Sequence, residues 1–305
     1  MTEAKSPTLL VTGASGHLGR RVVELLLEGG ASNVVATTRN PDGLADLSAR
    51  GVEVRRADFD DPASLDRAFA GIDRILIISV LDTPDDPPRR LHQHLAAVEA
   101  AVKTGVKHIV YTSMLNPGPG SSIPFAPDHH GTEQAIEGSR VPFTILRPSW
   151  YADSVFMWLP QVLACGQWFT AAGEGRTAHV WRDDLARAAA AALTTTAEEG
   201  RRLPVTGPDA LTPAEIAAIV NEVFGASVAL IPVSDADLRN GLAAAGIAPA
   251  LIDLLVAIDV NTRQGGVDVV GNTVERLTGK PARSLREFLI EHRAALLAAR
   301  DAIGA

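Results

Sequence analysis

Cysteine, lysine and tyrosine are scarce in this sequence, and each shortage removes a class of chemistry. Cys165 is the only cysteine among 305 residues, so no disulfide can form within the chain and no cysteine cluster can hold a metal. The only tyrosines are Tyr111 and Tyr151, and four residues beyond them stand Leu115 and Val155. The only lysines are Lys5, Lys103, Lys107 and Lys280, so no Tyr-x-x-x-Lys pair exists. Long apolar runs are missing too. The longest, Ile75 to Leu81, is broken by Ser79 and far too short to span a bilayer. Met1 to Pro7 is polar and lacks the apolar centre of a signal peptide, which gives the expectation of a cytoplasmic address. The net charge of −8 is spread along the chain with no basic tail, which argues against nucleic acid or an anionic membrane as a partner.

What is present is organised around Leu9 to Gly19, Leu-Leu-Val-Thr-Gly-Ala-Ser-Gly-His-Leu-Gly. An apolar run enters a turn carrying Gly13, Gly16 and Gly19, and an amphipathic segment with Val22, Val23, Leu25, Leu26 and Leu27 leaves it. Strand, glycine turn and helix in succession make a dinucleotide site. Gly13 permits the turn, Gly16 lets backbone approach a ligand, and Gly19 lets the helix pack on the strand. The helix's first N–H groups then face a pyrophosphate, with Gly13, Ser15, Gly16, His17, Leu18 and Gly19 around it. A second strand, Asn33 to Thr37, stops at Thr38 and Arg39. An NAD-preferring site places an acid about 20 residues beyond the turn for the ribose hydroxyls. Arg39 instead offers a guanidinium fork to a 2′-phosphate, so the expected cofactor is NADP(H); the plainer reading is a surface arginine beside the Asn40-Pro41 turn.

Val52 to Arg55 reads as a third strand, leading into Asp58, Phe59, Asp60 and Asp61 before Pro62 opens a helix. Asp61 suits the helix cap. Arg74 to Ser79 has the β-branched and leucine content of a strand buried on both faces, and its end at Ser79 and Val80 is expected along the cofactor. Leu91 to Gly105 is helical; His92 and His94, two apart on it, are read as facing solvent. His108 to Thr112 makes a fifth strand. The loop Asn116 to Pro127, with four prolines, is expected at a pocket rim. A helix over Asp128 to Gly138 and a sixth strand over Phe143 to Arg147 complete a doubly wound parallel sheet, an α/β Rossmann-like fold. Every tryptophan then falls between Trp150 and Trp181, together with Tyr151, Phe156 and Phe169. This crowding is either lobe core or a flat apolar wall for a ring-shaped substrate. Asp184 to Leu193 is an alanine-rich helix expected to pack closely on the sheet, and Leu203 to Thr206 a seventh strand. Capping boxes at Thr212–Glu215 and Ser284–Glu287 start later helices. Ser234 to Ile258 reads as a small helical lobe over the pocket. The division expected is a nucleotide-binding domain over 1–150 and a mostly helical substrate lobe over 151–305, interleaved with the last strands and helices of the first.

The glycine spacing resembles the short-chain dehydrogenase/reductase superfamily. Thr12 to Gly19, Arg39 to Pro41, Tyr111 to Leu115, His129 to Glu133, Leu146 to Tyr151, Ala172 to Gly175 and Thr278 to Pro281 narrow the resemblance to its NmrA-like atypical branch, and within that to NADPH:quinone oxidoreductases of type 2. The resemblance implies NADPH binding and transfer of hydride to a quinone or similar conjugated acceptor. It also implies Asp58, with Phe59 beside it, at the adenine, and Ser113 hydrogen-bonded to the acceptor carbonyl. Most of the superfamily protonates an alkoxide with a tyrosine whose pKa a lysine lowers, and this chain lacks that pair. A quinone needs it less, because the charge it gains spreads into a ring; alignment of nicotinamide and acceptor is then the main task. Pro148, expected at the cofactor, stands where such reductases often have asparagine. His129 is expected to share a proton near neutrality, with His130 as the alternative and an exposed helix start as the plainer reading. Tyr151 follows the sixth strand, at the edge where such sheets bind ligands. The competing functions are an NADP(H)-sensing regulator without turnover and, further off, an epimerase or isomerase. A monomer or homodimer acting on a small molecule, without a metal, is the expected setting.

Overall fold

The structure, a computed structural model, describes residues 6–80 and 87–303. Strands and helices alternate through the first half: β1 (Leu9–Val11), α1 (His17–Glu28), β2 (Val34–Thr38), α2 (Ala45–Ala49), β3 (Glu53–Arg56), α3 (Pro62–Phe69), β4 (Arg74–Ile78), α4 (Pro87–Lys103), β5 (His108–Thr112), α5 (Ala126–Gly138) and β6 (Phe143–Pro148). The second half adds α6 (Leu159–Cys165), β7 (Gln167–Thr170), α7 (Arg182–Thr194), β8 (Arg201–Val205), α8 (Pro213–Phe224), β9 (Ala229–Pro232), α9 (Asp235–Ala244), α10 (Pro249–Arg263), α11 (Thr273–Thr278), α12 (Leu285–Glu291) and α13 (Arg293–Asp301). Among the described residues seven strands form one parallel sheet in the order β3-β2-β1-β4-β5-β6-β8. The doubly wound α/β expectation holds.

The period-two geometry of a strand feeds two cores. Leu9, Val11, Val34, Ala36, Leu76, Val110 and Leu146 point to the face covered by α1, α7 and α11. Leu10, Val35, Ile75, Ile77, Ile109, Tyr111 and Ile145 point to the face covered by α3, α4 and α5. Helix α7 can lie close to the sheet because the residues it buries are chiefly alanine, from Ala186 to Ala192. Asp61 caps α3 by accepting from the Ser64 N–H, and both later capping boxes are formed.

A third core gathers Val155, Leu159, Trp181, Ile216, Phe224, Phe288 and Leu289 in the second half, with Trp158 and Trp168 against it. Trp158 stacks on Trp168 at 4.7 Å, and Trp181 meets Phe288 edge-on at 5.0 Å. Most of the aromatic cluster is therefore lobe core, as one of its two readings had it. Trp150 packs elsewhere, against Met114, Ile123, Phe125 and Ile258, while Tyr151 lies against the first core and Phe169 is exposed. The lobe also holds a two-stranded parallel sheet, β7 with β9, that the sequence did not announce. Among the described residues no helix is long and apolar enough to cross a membrane, and no group of three or more His, Cys, Asp or Glu is placed to hold a metal.

Candidate cofactor and acceptor site

The strand order reverses between β1 and β4, where connections leave to opposite sides and open a crevice at the carboxyl ends of the strands. Into it opens the glycine turn, where Gly13, Ser15, Gly16 and His17 are exposed. The three glycines have distinct geometric reasons. Gly13 has φ +61, a conformation that penalises a side chain. A Cβ on Gly19 would lie 2.8 Å from the Gly13 carbonyl carbon and 2.9 Å from the Ala14 Cα, so only glycine lets α1 approach β1 this closely. A Cβ on Gly16 would have one neighbour, the Gly13 oxygen at 3.3 Å, so the space beyond it is open. Helix α1 begins at Gly16 with no side-chain cap and no acid in its first turn. Its free N–H groups and dipole therefore present an uncompensated positive end, suited to a pyrophosphate.

The end of β2 is tied to this turn. The Thr38 hydroxyl donates to Ser15 Oγ at 3.1 Å and accepts from the Asn40 N–H. Arg39 follows, exposed, and among the described residues no carboxylate lies within ion-pair distance of it. Asp60, whose pKa is lowered chiefly by its hydrogen bond from Arg89 and also by Arg39, is held by Arg89 at 2.6 Å and Gln93 at 2.9 Å. Asp58 is half-buried, with its carboxylate accepting from the Asp60 N–H, and Phe59 packs on the edge of the α3–α5 core.

At the end of β4 three consecutive backbone N–H groups bond to side chains instead of to a neighbouring strand. Ile78 donates to the Thr12 hydroxyl at 2.9 Å, Ser79 to the Thr112 hydroxyl at 3.0 Å, and Val80 to His94 Nε2 at 3.0 Å. His94 is fully buried, not facing solvent as its sequence position suggested; His92 does face outward. The reason is that α4 turns Arg90, His94, Ala97, Val98 and Ala101 to the core as one stripe.

His129 also differs from expectation. It is buried, its Nε2 lies 2.7 Å from Arg90 and its Nδ1 2.9 Å from the Tyr111 hydroxyl. Burial, with Arg90 and His94 nearby, pushes its pKa well below the usual 6.5, so it does not share a proton near neutrality. Ser113 is corrected as well: its hydroxyl donates to Glu133 Oε1 at 2.5 Å, so its proton is not presented to a ligand. Glu133 is itself clamped by Arg147 in a two-point ion pair. Ser113, through Glu133, and His129 are thus both tied into the α5 side of the sheet, whereas Tyr151 packs against the core on the α1–α7 side, with Arg182 5.5 Å above its ring. Burial raises Tyr151 to about 12 and Tyr111 higher still, so both stay protonated in the physiological range.

Pro148 ends β6 opposite Val205, and its carbonyl accepts from Leu115 N–H. Just beyond, Ser149 Oγ and Trp150 Nε1 are shut away from solvent without a hydrogen-bond partner. Loop residues 116–121 form one wall of a cleft of ≈ 510 Å³, whose other walls include His130, Arg147, Asn261 and Gln264. Asn116 donates to the Gly266 carbonyl at 2.8 Å and ties this rim to the lobe. His130, not its neighbour, is the histidine at this opening.

Comparison with known proteins agrees with this geometry. The sequence profile of the NAD(P)H-binding family matches residues 13–196. Quinone oxidoreductase 2 of Escherichia coli is 34% identical over 280 residues, covering 92% of this chain and 96% of that one. The crystal structure of an NADPH-dependent quinone oxidoreductase from Escherichia coli complexed with NADPH superposes with TM-score 0.87 over 94% of this chain and 100% of that chain, at 34% identity. That of Citrobacter sp. triphenylmethane reductase complexed with NADP(H) superposes with TM-score 0.84 over 93% and 99%, at 33% identity. With its glycine turn, uncapped helix and switch-point crevice in place, the chain belongs to the NAD(P)H-binding family and is an NAD(P)H-dependent oxidoreductase.

Proposed function

We propose that this oxidoreductase uses NADPH to transfer hydride to a quinone or another planar, conjugated acceptor. One observation carries the reading: beside the glycine-turn cradle, none of Tyr111, Tyr151, His94, His129 and Ser113 is poised as an acid. Tyr111 and Tyr151 are held protonated, His94 and His129 are held neutral, and the Ser113 proton is committed to Glu133. Chemistry that suits such a site generates charge the acceptor itself delocalises.

When bound, NADPH supplies the hydride. The chain's own part is alignment and exclusion of water. The first turn of α1 receives the pyrophosphate, Arg39 the 2′-phosphate, and Asp58 and Phe59 flank the adenine. Ser79, Val80 and Pro148 would border the nicotinamide, and Tyr151, held protonated, would serve as a neutral hydrogen-bond donor. Met114, Ile123, Phe125, Trp150 and Ile258, an apolar group where β5, β6 and α10 converge, form a flat wall for the acceptor. The names of the similar proteins, a quinone reductase and a triphenylmethane reductase, support acceptors of this shape.

The test is oxidation of NADPH, followed by loss of the reduced-nicotinamide absorbance, against a panel of quinones, dyes and enones. Turnover with planar acceptors at rates that saturate in both substrates is the expected result. Tight NADPH binding with no oxidation by any of them would favour a redox-sensing regulator instead.

A further inference from the structure

The three side chains that occupy the N–H groups at the end of β4 are not equivalent. Thr12 directly follows β1 and Thr112 ends β5, the strands on either side, where a short side chain easily takes over when the ladder stops. His94 comes from α4, and the hydrogen bond it receives fixes Val80 itself, the last described residue before α4. A backbone N–H can only donate, so His94 Nε2 must be bare. The proton of the neutral ring is then on Nδ1, 3.0 Å from the Thr132 hydroxyl, which in turn donates to the Asp128 carbonyl at 2.6 Å. The neighbouring ring is fixed by the same logic. An arginine also only donates, so His129 Nε2 is bare toward Arg90 and its Nδ1–H is donated to the Tyr111 oxygen. Tyr111 packs edge-on against His94 at 5.7 Å and tilted against His129 at 6.0 Å. All of these groups are buried on the α4–α5 side of the sheet.

We infer that His94 is a positioning residue for the nicotinamide side of the cofactor site. Its bare Nε2 holds the Val80 N–H, and the Thr132, Tyr111, His129 and Arg90 groups around it dictate which nitrogen is bare. The inference rests on the cofactor lying along the end of β4. Its consequence is that the Val80 amide is taken by the protein and is not offered to the cofactor, so cofactor affinity depends on a ring that never touches it. Loss of the acceptor frees the Val80 peptide to rotate, and the rim of the crevice is no longer held open.

Two substitutions separate positioning from packing. His94→Leu fills the space without an acceptor, and His94→Gln returns a carbonyl oxygen near the place of Nε2. Both lose the ring contacts to Tyr111 and His129, so both lower the melting temperature of the cofactor-free chain by a similar amount. Calorimetric titration with NADPH is expected to give a Kd raised about tenfold in His94→Leu, the scale of one buried hydrogen bond, and restored to within about threefold of the parent in His94→Gln. A common Kd for the two variants, whether at the parent value or raised together, overturns the inference. The parent chain supplies a second check that needs no variant. Long-range ¹H–¹⁵N correlations of the NADPH-bound protein are expected to show His94 neutral with its proton on Nδ1; a proton on Nε2 overturns it. Failure of the parent to bind NADPH at all would instead sink the cofactor reading on which this rests.

Discussion

At the scale of single residues, the account rests on which charges are committed and which are free. Arg39 has no carboxylate partner among the described residues and stands at the end of β2, where an acid would select NAD. Arg39→Asp is expected to weaken NADPH by about 30-fold, the worth of a charge-assisted hydrogen bond of about 2 kcal/mol, while leaving NADH nearly unchanged. Calorimetric titration reads both; equal affinities of the parent for the two cofactors would remove Arg39 from the phosphate site. Glu133 is in the opposite condition, 3% exposed and clamped by Arg147, with Ser113 donating to it. Glu133→Gln leaves Arg147 without its partner and is expected to cost about 3 kcal/mol in urea unfolding. A loss below about 1 kcal/mol would mean that the pair is better solvated than its burial indicates. The proposal for Arg39 could be made from sequence because a missing acid at a fixed distance from a glycine turn is a local signal. The commitments of Ser113 and His129 were not, since each depends on α5 packing against β5. His94 was legible in part: it lies four residues before Val98 and three before Ala97, on the stripe that α4 buries, and the helical period would have placed it inside had its polarity not suggested water.

At the scale of elements, the strand–turn–helix unit from Leu9 to Glu28 shows why three glycines are not interchangeable. Gly16 borders open space, whereas Gly19 lies against the backbone of Gly13 and Ala14. Gly16→Val is therefore expected to keep the parent's circular dichroism and unfolding temperature within a few degrees while losing NADPH binding. Gly19→Val is expected to lower the unfolding temperature by about 5 °C, roughly the effect of about 2 kcal/mol of backbone displacement. Unchanged NADPH affinity in Gly16→Val would show that the turn is not the phosphate site. The alternation of strands and helices through β6 could be read in order because the strands inside the sheet bury both faces, leaving β3 as the exposed edge, and most helices show one apolar side. Beyond Pro148 that regularity fails for a physical reason. The partner of β7 is β9, some sixty residues later, and the tryptophans of the lobe are buried by helices α8 and α12 from further still. Aromatic crowding in sequence could not distinguish that core from a pocket wall; Trp150 joined a separate apolar cluster with Met114 and Ile123.

At the scale of the whole molecule, burial of uncharged imidazoles sets a pH limit on the fold. In the unfolded chain each histidine takes a proton near pH 6.5. In the fold, burial holds His94 at about 3 and His108 at about 4, and pushes His129 well below its usual value. The folded pKa values lie below the unfolded ones, so this contribution is fully present above about pH 6.5 and is lost as pH falls toward 4, at up to about 1.4 kcal/mol per pH unit for each ring. The urea midpoint is expected to fall clearly between about pH 7 and about pH 5, before the carboxylates titrate; an unchanged midpoint would mean that these rings are not buried neutral. The same neutrality bears on catalysis. If alignment of nicotinamide and acceptor does the work, with no group of the chain exchanging a proton in the hydride step, the rate of that step should ignore pH. The direct test is the single-turnover rate of NADPH-bound protein with a high-potential quinone, measured from about pH 6 to about pH 9. The account predicts a rate constant within about threefold across that range. A bell-shaped profile, or a tenfold limb with an apparent pKa inside it, would contradict it and require a proton-exchanging group, for which His130 at the cleft is the first candidate.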